Sequence, residues 1–403
     1  MTARPTDTRL DAIRAAVARR EQAYLDLLRD LVAIDSGSLD HEGVRRITDV
    51  LEGILIAERF AVEHVPVGAL HVLVGRRAGT GPTILLNAHM DTVYDRGTAA
   101  ERPFEIVDGH VRGAGVADDK CGIVAALVAV QALDEVGSDA DLMVVFTPDE
   151  ELGSPFSAPV TARLAAEADV ALCLEAGRED GSLVSARKGG ANLRAQLTGR
   201  GAHSGVEPHK GINAALHMAH AIVGLEALND FDRGTTVNVG VARAGSRSNI
   251  VPAEATMWID LRAWTVEEYD ALLAEAQRVV CAPHVDGVQV ATRLEASSPP
   301  MEATPAVTAL GDLACALGAE LGIDGMRHVH TGGMGDANIV ATAGIPVLDG
   351  LAPVGGDDHT PAEWLDAASI VPRVTLLTAL IDRLAVDGVP AHDPSSPSLG
   401  SWA

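Results

Sequence analysis

Segments with the character of β-strands and α-helices alternate along the first half of this 403-residue chain. Short apolar runs are separated by a helical pattern, in the order HVLVG, TILLNAH, GIVAALVAVQAL, DLMVVFT and DVALCLE. Parallel sheets are buried under helices on their faces, so this alternation predicts a mostly parallel sheet flanked by helices. The sequence is therefore typical of the α/β class.

The pattern changes between residues 189 and 298. Its segments are NLRAQLTG, a helix through AALHMAHAIVGLEAL, TTVNVGVARAG, ATMWIDLRA, a helix through YDALLAEAQRVV, and VQVATRLE. This order, βαββαβ, is the split ferredoxin-like unit. A helix in TPAVTALGDLACALGAELG, a buried strand in IPVLDGL and a closing helix in WLDAASIVPRVTLLTALIDRLA follow. We therefore predict a discontinuous larger domain, 1–188 and 299–403, that carries an inserted small domain, 189–298.

Both ends of the chain have a distinct character. An amphipathic helix is predicted over about residues 8 to 34, and a Pro/Ser-rich mobile tail from Val389. The N-terminus lacks the apolar core of a signal peptide, and no later run of 18 apolar residues occurs. These features predict a cytoplasmic protein without a membrane partner.

Charge and cysteine usage exclude further classes. The formal net charge of -25 repels phosphate backbones and anionic lipid headgroups, so nucleic acid is not expected as a partner. The cysteines lie far apart without CxxC spacing, which argues against a disulfide framework or a thiolate metal site. We interpret Cys121, Cys173, Cys281 and Cys315 as buried small hydrophobic residues.

A histidine and an aspartate end the apolar run in TILLNAHMDTV. His89 and Asp91 lie two apart, so both side chains point to one face of an extended chain. A metal-binding imidazole commonly has its other nitrogen held by a carboxylate or carbonyl, and Asp91 is placed to do this. Alone, the pair is also compatible with an ordinary strand-end turn.

Acidic pairs follow two other predicted elements. Asp118 and Asp119 in RGAGVADDKCG precede a helix, where capping of free N–H groups is the alternative to catalysis. The GxGxxD string here lacks the strand and the third glycine of a dinucleotide site. Glu150 and Glu151 in MVVFTPDEELGS follow a buried strand. Their side chains diverge, so one carboxylate can hold a metal while the other handles a proton, and an acidic helix start is the alternative.

Two further residues complete a dispersed set. Glu175 ends the apolar run DVALCLE, and His359 lies in the Gly/Asp turn of GLAPVGGDDHTPAEW. Either alone is compatible with an exposed acid or a loop histidine. However, open α/β sheets gather their sites at the carboxyl edge of the strands. Five separate strand ends that each deliver an oxygen or nitrogen ligand therefore predict a metal centre.

The chain resembles a known family over nearly its whole length. Together with Glu175, the motifs that carry the resemblance are HMDTV, GAGVADDKCG, TPDEELGS, GRGAHSG, SNIVPAEATMWIDLR, TGGMGDAN and GGDDHTPAEW. They occur in the order seen in the dinuclear zinc metallopeptidases. That family includes glutamate carboxypeptidase, aminoacylases, acetylornithine deacetylase and succinyl-diaminopimelate desuccinylase, and the glutamate carboxypeptidase branch is the most similar.

The resemblance implies a zinc-exopeptidase fold with two zinc ions. By it, Asp118 bridges the metals, His89 and Glu175 complete one site, and Glu151 and His359 complete the other. Three ligating carboxylates plus one hydroxide offset the four positive charges of two zinc ions. Cobalt or manganese can substitute in such a ligand set.

The resemblance also implies catalytic roles. Glu150 is the general base, and Asp91 orients His89. His203 of GRGAHSG reaches the site from the insert of a partner subunit as an oxyanion donor, so a homodimer is expected, joined through an inserted dimerisation or lid domain. The alternative for His203 is a solvated loop histidine. Family members often have a cis peptide after the bridging aspartate, here between Asp118 and Asp119.

Substrate binding is likewise implied by the resemblance. Asn249 and Arg262 bind the substrate carboxylate, Arg262 through a two-pronged contact. A turn residue and an exposed strand residue are the alternatives for these two positions. Gly332 and Gly333 offer backbone N–H groups nearby. Two departures from the family pattern are Cys121, in place of a second glycine, and Gly335, in place of a hydroxyl residue.

The expected activity is hydrolysis of an amide or peptide bond next to a free amino-acid carboxylate, in a small peptide or an N-acyl amino acid. N-acyl amino acid deacylation is the alternative, because the same zinc centre serves both and only the pocket for the acyl side discriminates. A catalytically silent, zinc-stabilised binding protein is a third interpretation. Retention of Glu150, which ligates nothing, argues against it.

Overall fold

The computed structural model describes residues 5–390, with side chains from residue 8. The tail predicted to be mobile therefore lies outside the described residues from 391 onward. The helices are α1 (Pro5–Ala18), α2 (Glu21–Val32), α3 (His41–Ala57), α4 (Thr98–Glu101), α5 (Lys120–Glu135), α6 (Ala158–Ala165), α7 (Ala214–Glu226), α8 (Val266–Cys281), α9 (Pro305–Glu320), α10 (Asp336–Ala341) and α11 (Ile370–Asp387). The strands are β1 (Ala61–Val67), β2 (Leu70–Arg77), β3 (Thr80–His89), β4 (Glu105–Val107), β5 (His110–Arg112), β6 (Ala140–Thr147), β7 (Val170–Cys173), β8 (Leu183–Arg187), β9 (Gly189–Thr198), β10 (Thr236–Ala244), β11 (Glu254–Ala263), β12 (Gln289–Ser298), β13 (His328–Thr331), β14 (Val347–Leu348), β15 (Gly355–Gly356) and β16 (Trp364–Asp366).

The chain forms two compact units. Within the described residues, the first contains the chain up to Ser185, Ala303–His330 and the chain from Gly335 on. The second contains Ala186–Glu302 and Thr331–Met334. Residues 331–334 thus fall in the second unit, whereas the sequence pattern assigns them to the larger domain. The metal-binding and dimerisation roles predicted for the two domains stay predictions.

A six-stranded sheet is the centre of the first unit, with strand order β1-β2-β6-β3-β7-β14. Strands β6, β3, β7 and β14 run parallel, while β1 and β2 join one edge as an antiparallel pair. The last six residues of β3 and all of β7 are buried, as expected for parallel strands covered on both faces. The predicted α/β class with a mostly parallel sheet is confirmed.

Helix α5 shows why the apolar run GIVAALVAVQAL is helical although its apolar residues surround the axis. It packs against α1, α2, α11 and strand β3, and its residues are buried almost without interruption up to Leu133. A helix that is apolar on all sides is stable only when it is enclosed in this way. Its alanines allow the neighbouring elements to approach closely.

Two sequence predictions about helices differ from the structure. The predicted single N-terminal helix is two, α1 and α2, because the chain turns at Arg19 and Arg20, whose guanidinium groups pair with Glu135 of α5. The closing helix begins only at Ile370. The preceding segment Trp364–Asp366 is instead strand β16, which pairs with β5 and β15.

Arg373 of α11 fixes two loops at the carboxyl edge of the main sheet. Its side chain is 2% exposed, and it donates to the carbonyls of Ala352 (3.0 Å), Gly181 (2.9 Å) and Gly350. The N–H of Ala352 in turn donates to the carbonyl of Glu175 at 3.2 Å. A buried guanidinium that satisfies three carbonyls thus holds the backbone on which Glu175 lies.

The second unit has the predicted βαββαβ order, β9-α7-β10-β11-α8-β12. Its antiparallel sheet has strand order β10-β11-β9-β12, and burial alternates along β11 residue by residue. Helices α7 and α8 pack on the face that carries Leu193, Ala195, Met257 and Ile259. The inserted ferredoxin-like fold is confirmed.

The four cysteines differ in burial. Cys121 and Cys173 are buried, but Cys281 is exposed and Cys315 is half-buried, so the interpretation of all four as buried residues is wrong. Cys281 ends α8, where its side chain falls on the outer surface of the unit.

The described helices are short or interrupted by polar residues. Across them, none has the length and apolar character that a membrane span requires.

Candidate metal centre

Three predicted ligands follow neighbouring strands of the main sheet. His89 is the last residue of β3, Glu151 lies in a short 3-10 turn after β6, and Glu175 comes two residues after β7. Because β6, β3 and β7 are adjacent and parallel, their carboxyl ends meet at one edge. The sheet itself therefore brings these three side chains to one place.

Asp118 and His359 reach the same place from a different sheet. They lie in the loops that follow β5 and β15, which belong to a small sheet of order β15-β16-β5-β4. The sequence pattern treated all five positions as ends of strands in one sheet, and this is wrong for these two. His359 has a positive φ of 61°, in the turn that directs it toward Asp118.

The distances place Asp118 between two imidazole rings. Its Oδ1 lies 2.8 Å from Nε2 of His89, and its Oδ2 lies 2.9 Å from Nε2 of His359. Nε2 of His359 is also 3.1 Å from Oε2 of Glu151, and Nε2 of His89 is 3.8 Å from Oε1 of Glu175. The peptide between Asp118 and Asp119 is cis. The five side chains thus form two groups that share the carboxylate of Asp118.

The electrostatics of this cluster fit divalent cations. Hydrogen bonds that His359 donates to the carboxylates of Asp118 and Glu151 raise the pKa of His359 to about 11. Burial acts to raise the pKa of Asp118, but the two histidines outweigh it and hold that pKa well below its usual range. Among the described residues, Oε1 of Glu151 is buried without a hydrogen-bond partner. A cluster of carboxylate oxygens and imidazole nitrogens with excess negative charge suits zinc, cobalt or manganese as the bound cation.

Asp91 connects His89 to the two glutamates. Nδ1 of His89 lies 3.0 Å from the carbonyl oxygen of Asp91 and 3.4 Å from its carboxylate. The fully buried carboxylate accepts from Ser38 Oγ (2.6 Å) and from the backbone N–H groups of Glu150 (3.1 Å) and Glu151 (3.2 Å). One residue therefore holds the imidazole through its backbone carbonyl and the loop of the two glutamates through its carboxylate.

Glu150 lies beside the cluster but outside the groups of possible ligand atoms found among the described residues. Burial raises the pKa of Glu150 well above its usual range, and the charges of Glu175 and Asp336 raise it further, while His89 acts in the opposite direction. Asp336 also accepts hydrogen bonds from Thr147 (2.5 Å) and Ser154 (2.6 Å), on either side of the glutamates. A carboxyl group with a raised pKa suits proton transfer near neutral pH.

Asp119 does not cap helix α5. As the N-cap residue it makes no side-chain capping bond, and its Oδ2 instead accepts from the N–H of His89 at 3.3 Å. With His89 and Glu175 it forms a second group of possible ligand atoms within 4.8 Å of one another. The capping alternative for this acidic pair is therefore not realised.

Sequence reasoning missed Glu363, which is 1% exposed. Its carboxylate accepts from the backbone N–H groups of Gly115 (3.0 Å), Ala117 (2.9 Å) and Asp118 (3.1 Å) and from the hydroxyl of Tyr94 (2.7 Å). It lies four residues after His359, so one carboxylate ties the segments of two ligands together. The one feature of the sequence that could have indicated Glu363 is its position between apolar residues in TPAEW.

His203 and Asn249 lie together in the second unit. His203 bridges to Ile250 in antiparallel fashion, and the carbonyl of Asn249 accepts from the N–H of Ser204 at 3.1 Å. Both predicted site residues are at least partly exposed, and Nδ1 of His203 accepts from the N–H of Gly205 at 3.2 Å. This contact leaves Nε2 of His203 as the nitrogen that can face a ligand.

Arg262 of β11 forms a two-pronged contact with an acid of its own strand. Its Nε and Nη2 lie 3.0 Å and 2.9 Å from the carboxylate oxygens of Asp260. Burial lowers the pKa of Lys188, and the positive charge of Arg262 lowers it further, so a second cation lies near the first. Sequence reasoning did not identify Lys188.

Gly332 and Gly333 are accessible residues of the second unit. The N–H of Gly333 donates to the hydroxyl of Thr331 at 3.5 Å, and its carbonyl accepts from Arg187 at 3.1 Å. A side chain at Gly332 would meet open space, since no described atom lies within 4 Å of the position that a Cβ would take there. The backbone here can therefore be approached by a ligand.

Comparison with known proteins identifies several relatives. The family model of Peptidase family M20/M25/M40 matches residues 85–383. The chain is 32% identical to carboxypeptidase G2 of Pseudomonas sp. (strain RS-16) over 379 residues, which are 91% of this chain and 90% of the relative. It is 27% identical to succinyl-diaminopimelate desuccinylase of Bordetella petrii, over 90% of this chain and 98% of the relative. The fold is similar to that of aminopeptidase PepT from Bacillus cereus, with a TM-score of 0.76 at 23% identity, covering 91% and 99% of the two chains.

The contacts of Glu363 generate a prediction about metal binding. Glu363→Gln keeps the side-chain volume but presents an amide N–H group to backbone donors, so the loop of Asp118 should loosen. We expect the affinity for zinc to fall by about 10- to 100-fold, as for other residues that support metal ligands. Tyr94→Phe removes one of the four hydrogen bonds and should have a smaller effect. Competition with a chromogenic chelator measures both, and equal affinity in Glu363→Gln and the wild type would contradict the role of this carboxylate.

Proposed function

The chain belongs to peptidase family M20/M25/M40, and we propose on this basis that it is a dizinc hydrolase that cleaves an amide or peptide bond next to the free carboxylate of an amino acid. Divalent-metal use and a peptide or acyl-amino-acid substrate follow from the family. The observation that carries the proposal is the cluster of five candidate ligand side chains with a half-buried Glu150 beside it, which lies outside the groups of possible ligand atoms among the described residues.

Similarity to carboxypeptidase G2 over most of both chains favours the glutamate carboxypeptidase-like activity. N-acyl amino acid deacylation is the second candidate, because a desuccinylase is 27% identical over nearly its whole length. Family membership sets aside the catalytically silent binding protein. The cytoplasmic location stays a prediction.

The residues present fit two divalent cations. His89, Asp118 and Glu175 would hold one, and Asp118, Glu151 and His359 the other. When bound, such cations supply Lewis acidity that polarises the scissile carbonyl and makes water a better nucleophile. We assign zinc to both positions.

The chain's own residues then supply positioning and proton transfer. Glu150 takes the proton of the attacking water and returns it to the leaving nitrogen. Its raised pKa favours the first transfer, in which it takes up the proton, and Asp91 holds its backbone and orients His89. His203 donates a hydrogen bond to the oxyanion. Asn249 and Arg262 receive the substrate carboxylate, and the N–H groups of Gly332 and Gly333 assist.

We further propose a homodimer in which His203 acts on the site of the partner subunit. Helix α7 exposes Leu216 (48%) and Val223 (72%), and β10 is an edge strand of its sheet. Exposed apolar side chains beside an open sheet edge favour association with a second copy.

The role of Glu150 predicts a separation of metal binding from turnover. Glu150→Gln should keep about two zinc ions per chain by elemental analysis but lose at least about 10²-fold in kcat, because no base of matched pKa remains. Glu63→Gln, an exposed change on β1, is the matched control. Unchanged kcat would remove Glu150 as the base. Metal content near zero in the wild type, not restored by added zinc or cobalt, would refute the dizinc centre.

The shared-site proposal predicts complementation. His203→Ala and Glu150→Gln subunits, each inactive alone, should regain about one quarter of wild-type activity after mixing and exchange. This value follows because half of the random dimers are mixed, and one of the two sites in each is intact. Tandem affinity tags verify the mixed dimers. Inactive mixed dimers would show that His203 does not act in trans.

Carboxylate recognition predicts a large effect of amidation. Substrates that end in Glu, Gln, Ala or Leu should each lose about 30-fold or more in kcat/KM as the amidated form, because the ion pair between the substrate carboxylate and Arg262 would be lost. Arg262→Met should abolish this difference, whereas Arg243→Met, on the neighbouring strand, should preserve it. Equal kcat/KM for acid and amide in the wild type would refute the idea. The order of kcat/KM among the four non-amidated substrates decides whether the enzyme prefers glutamate. Arg293 is the cation of β12 that could contact a glutamate side chain, and it lies opposite Arg194 in the sheet.

A further inference from the structure

A cavity of about 560 Å³ in the first unit borders the metal ligand Glu151. Three segments line it, residues 37–40, 92–96 and 151–152. Its volume lies within the range of small-molecule sites, about 300–1,000 Å³. The roles proposed above leave this space without a function. We refer to it as the acyl cavity, for the reasons that follow.

The walls of the acyl cavity are held by backbone hydrogen bonds. The N–H of Ser38 donates to the carbonyl of Thr92 (3.2 Å), and the N–H of Thr92 donates to the carbonyl of Ser36 (2.9 Å). A side chain on Gly37 would collide with the carbonyl of Tyr94, so the two segments are in close contact. The cavity is therefore preformed rather than created by loose loops.

Apolar side chains from three distant parts of the sequence converge on this cavity. Leu39 is 81% exposed, Leu152 45% and Val93 42%. Isolated exposed apolar residues are common, but these three line one cavity next to a proposed metal ligand. Together they form an apolar surface that the described residues leave exposed. An apolar group placed there would bury this surface.

The charges of the acyl cavity disfavour a carboxylate. Asp40 and Asp95 line it, apart from Glu151, whose charge a bound cation would offset. Arg96, the cation among the described lining residues, is bound by Asp40 (2.9 Å from Nε) and by Glu42 (2.9 Å from Nη2). An anionic group would be repelled by this wall. The cavity therefore suits the uncharged end of a substrate and not the end that carries the α-carboxylate.

We propose that the acyl cavity binds the acyl side of the scissile amide and selects substrates in which this part is large and apolar, aliphatic or aromatic. Leu39, Val93 and Leu152 are the residues that set this selectivity. The inference rests on the proposed amide hydrolase activity and names its substrate class. An acetyl group would leave most of 560 Å³ unfilled, whereas a hexanoyl or phenylacetyl group would cover the apolar wall.

The experiment measures kcat/KM for one amino acid that carries acetyl, butanoyl, hexanoyl and phenylacetyl groups in turn, with zinc-loaded enzyme. We expect a rise of about two- to fourfold for each added methylene, the gain from burying a CH₂ group. Acyl groups that end in a carboxylate, such as succinyl, should be poorer than butanoyl.

Two substitutions of one residue test the assignment in opposite ways. Leu39→Ser removes apolar wall, and Leu39→Trp fills the space. Both should reduce the ratio of hexanoyl to acetyl kcat/KM by about fivefold or more. Leu39 is largely exposed, so neither change should prevent folding, which thermal unfolding checks. Ile56→Ser alters an equally apolar residue, 57% exposed and outside the cavity, and should leave the ratio at the wild-type value.

The outcomes separate the two proposals. Hydrolysis of every substrate with no dependence on acyl length, or an unchanged ratio in both Leu39 variants, overturns the acyl cavity while the amide hydrolase proposal stands. A ratio that falls equally in Ile56→Ser also overturns it. If the enzyme hydrolyses no member of the acyl series and none of the substrates that end in Glu, Gln, Ala or Leu, the proposed function is overturned and the acyl cavity with it.

Discussion

The carboxylate of Asp118 faces a different imidazole with each of its oxygens, and the arrangement of the first unit depends on this contact. Asp118 lies in a loop of a small peripheral sheet, while His89 ends a central strand. Holding the loop in place requires hydrogen bonds to its backbone, and Glu363 accepts three of them. Because Glu363 follows His359 closely in sequence, the support of Asp118 also restricts the position of His359. The contact between Asp118 and His359 therefore joins two segments that are 241 residues apart.

The same region concentrates negative charge that the fold alone does not neutralise. Burial raises the pKa of Glu150 and of Asp119, and the neighbouring carboxylates raise both further. Polar groups buried at this density are unfavourable unless a cation or a proton compensates them. In a chain of net charge -25, these acids are the part of the excess that has a specific use. Some acids on the surface form ordinary ion pairs, as Glu135 does with Arg19 and Arg20.

The sequence predicted the elements with clear periodicity and missed those without it. Strands β3, β6 and β7 are apolar runs that end in or are soon followed by a polar residue, so the sequence predicted their order and the places of His89, Glu151 and Glu175. Strands β4, β5, β15 and β16 have two or three residues each, too few to show a periodic pattern of apolar residues. The sequence therefore did not predict the small sheet whose loops carry Asp118 and His359. The contact between Arg262 and Asp260 was readable in principle, because residues two apart in a strand share a face. Hydrogen bonds that link distant segments, such as those of Glu363, leave no local pattern.

The two units differ in the chemistry that they present. The first carries the ligand cluster, Glu150 and a cavity whose wall is apolar and acidic. The second carries Arg262 and Lys188, and burial together with the charge of Arg262 lowers the pKa of Lys188. By itself, the first unit therefore presents a surface that an uncharged apolar group would cover and that repels an anion, because Asp40 and Asp95 line it. The second unit, by itself, presents two cations, which attract an anion and offer an apolar group no favourable contact. The charge of each unit thus discriminates between the two kinds of group without any further device.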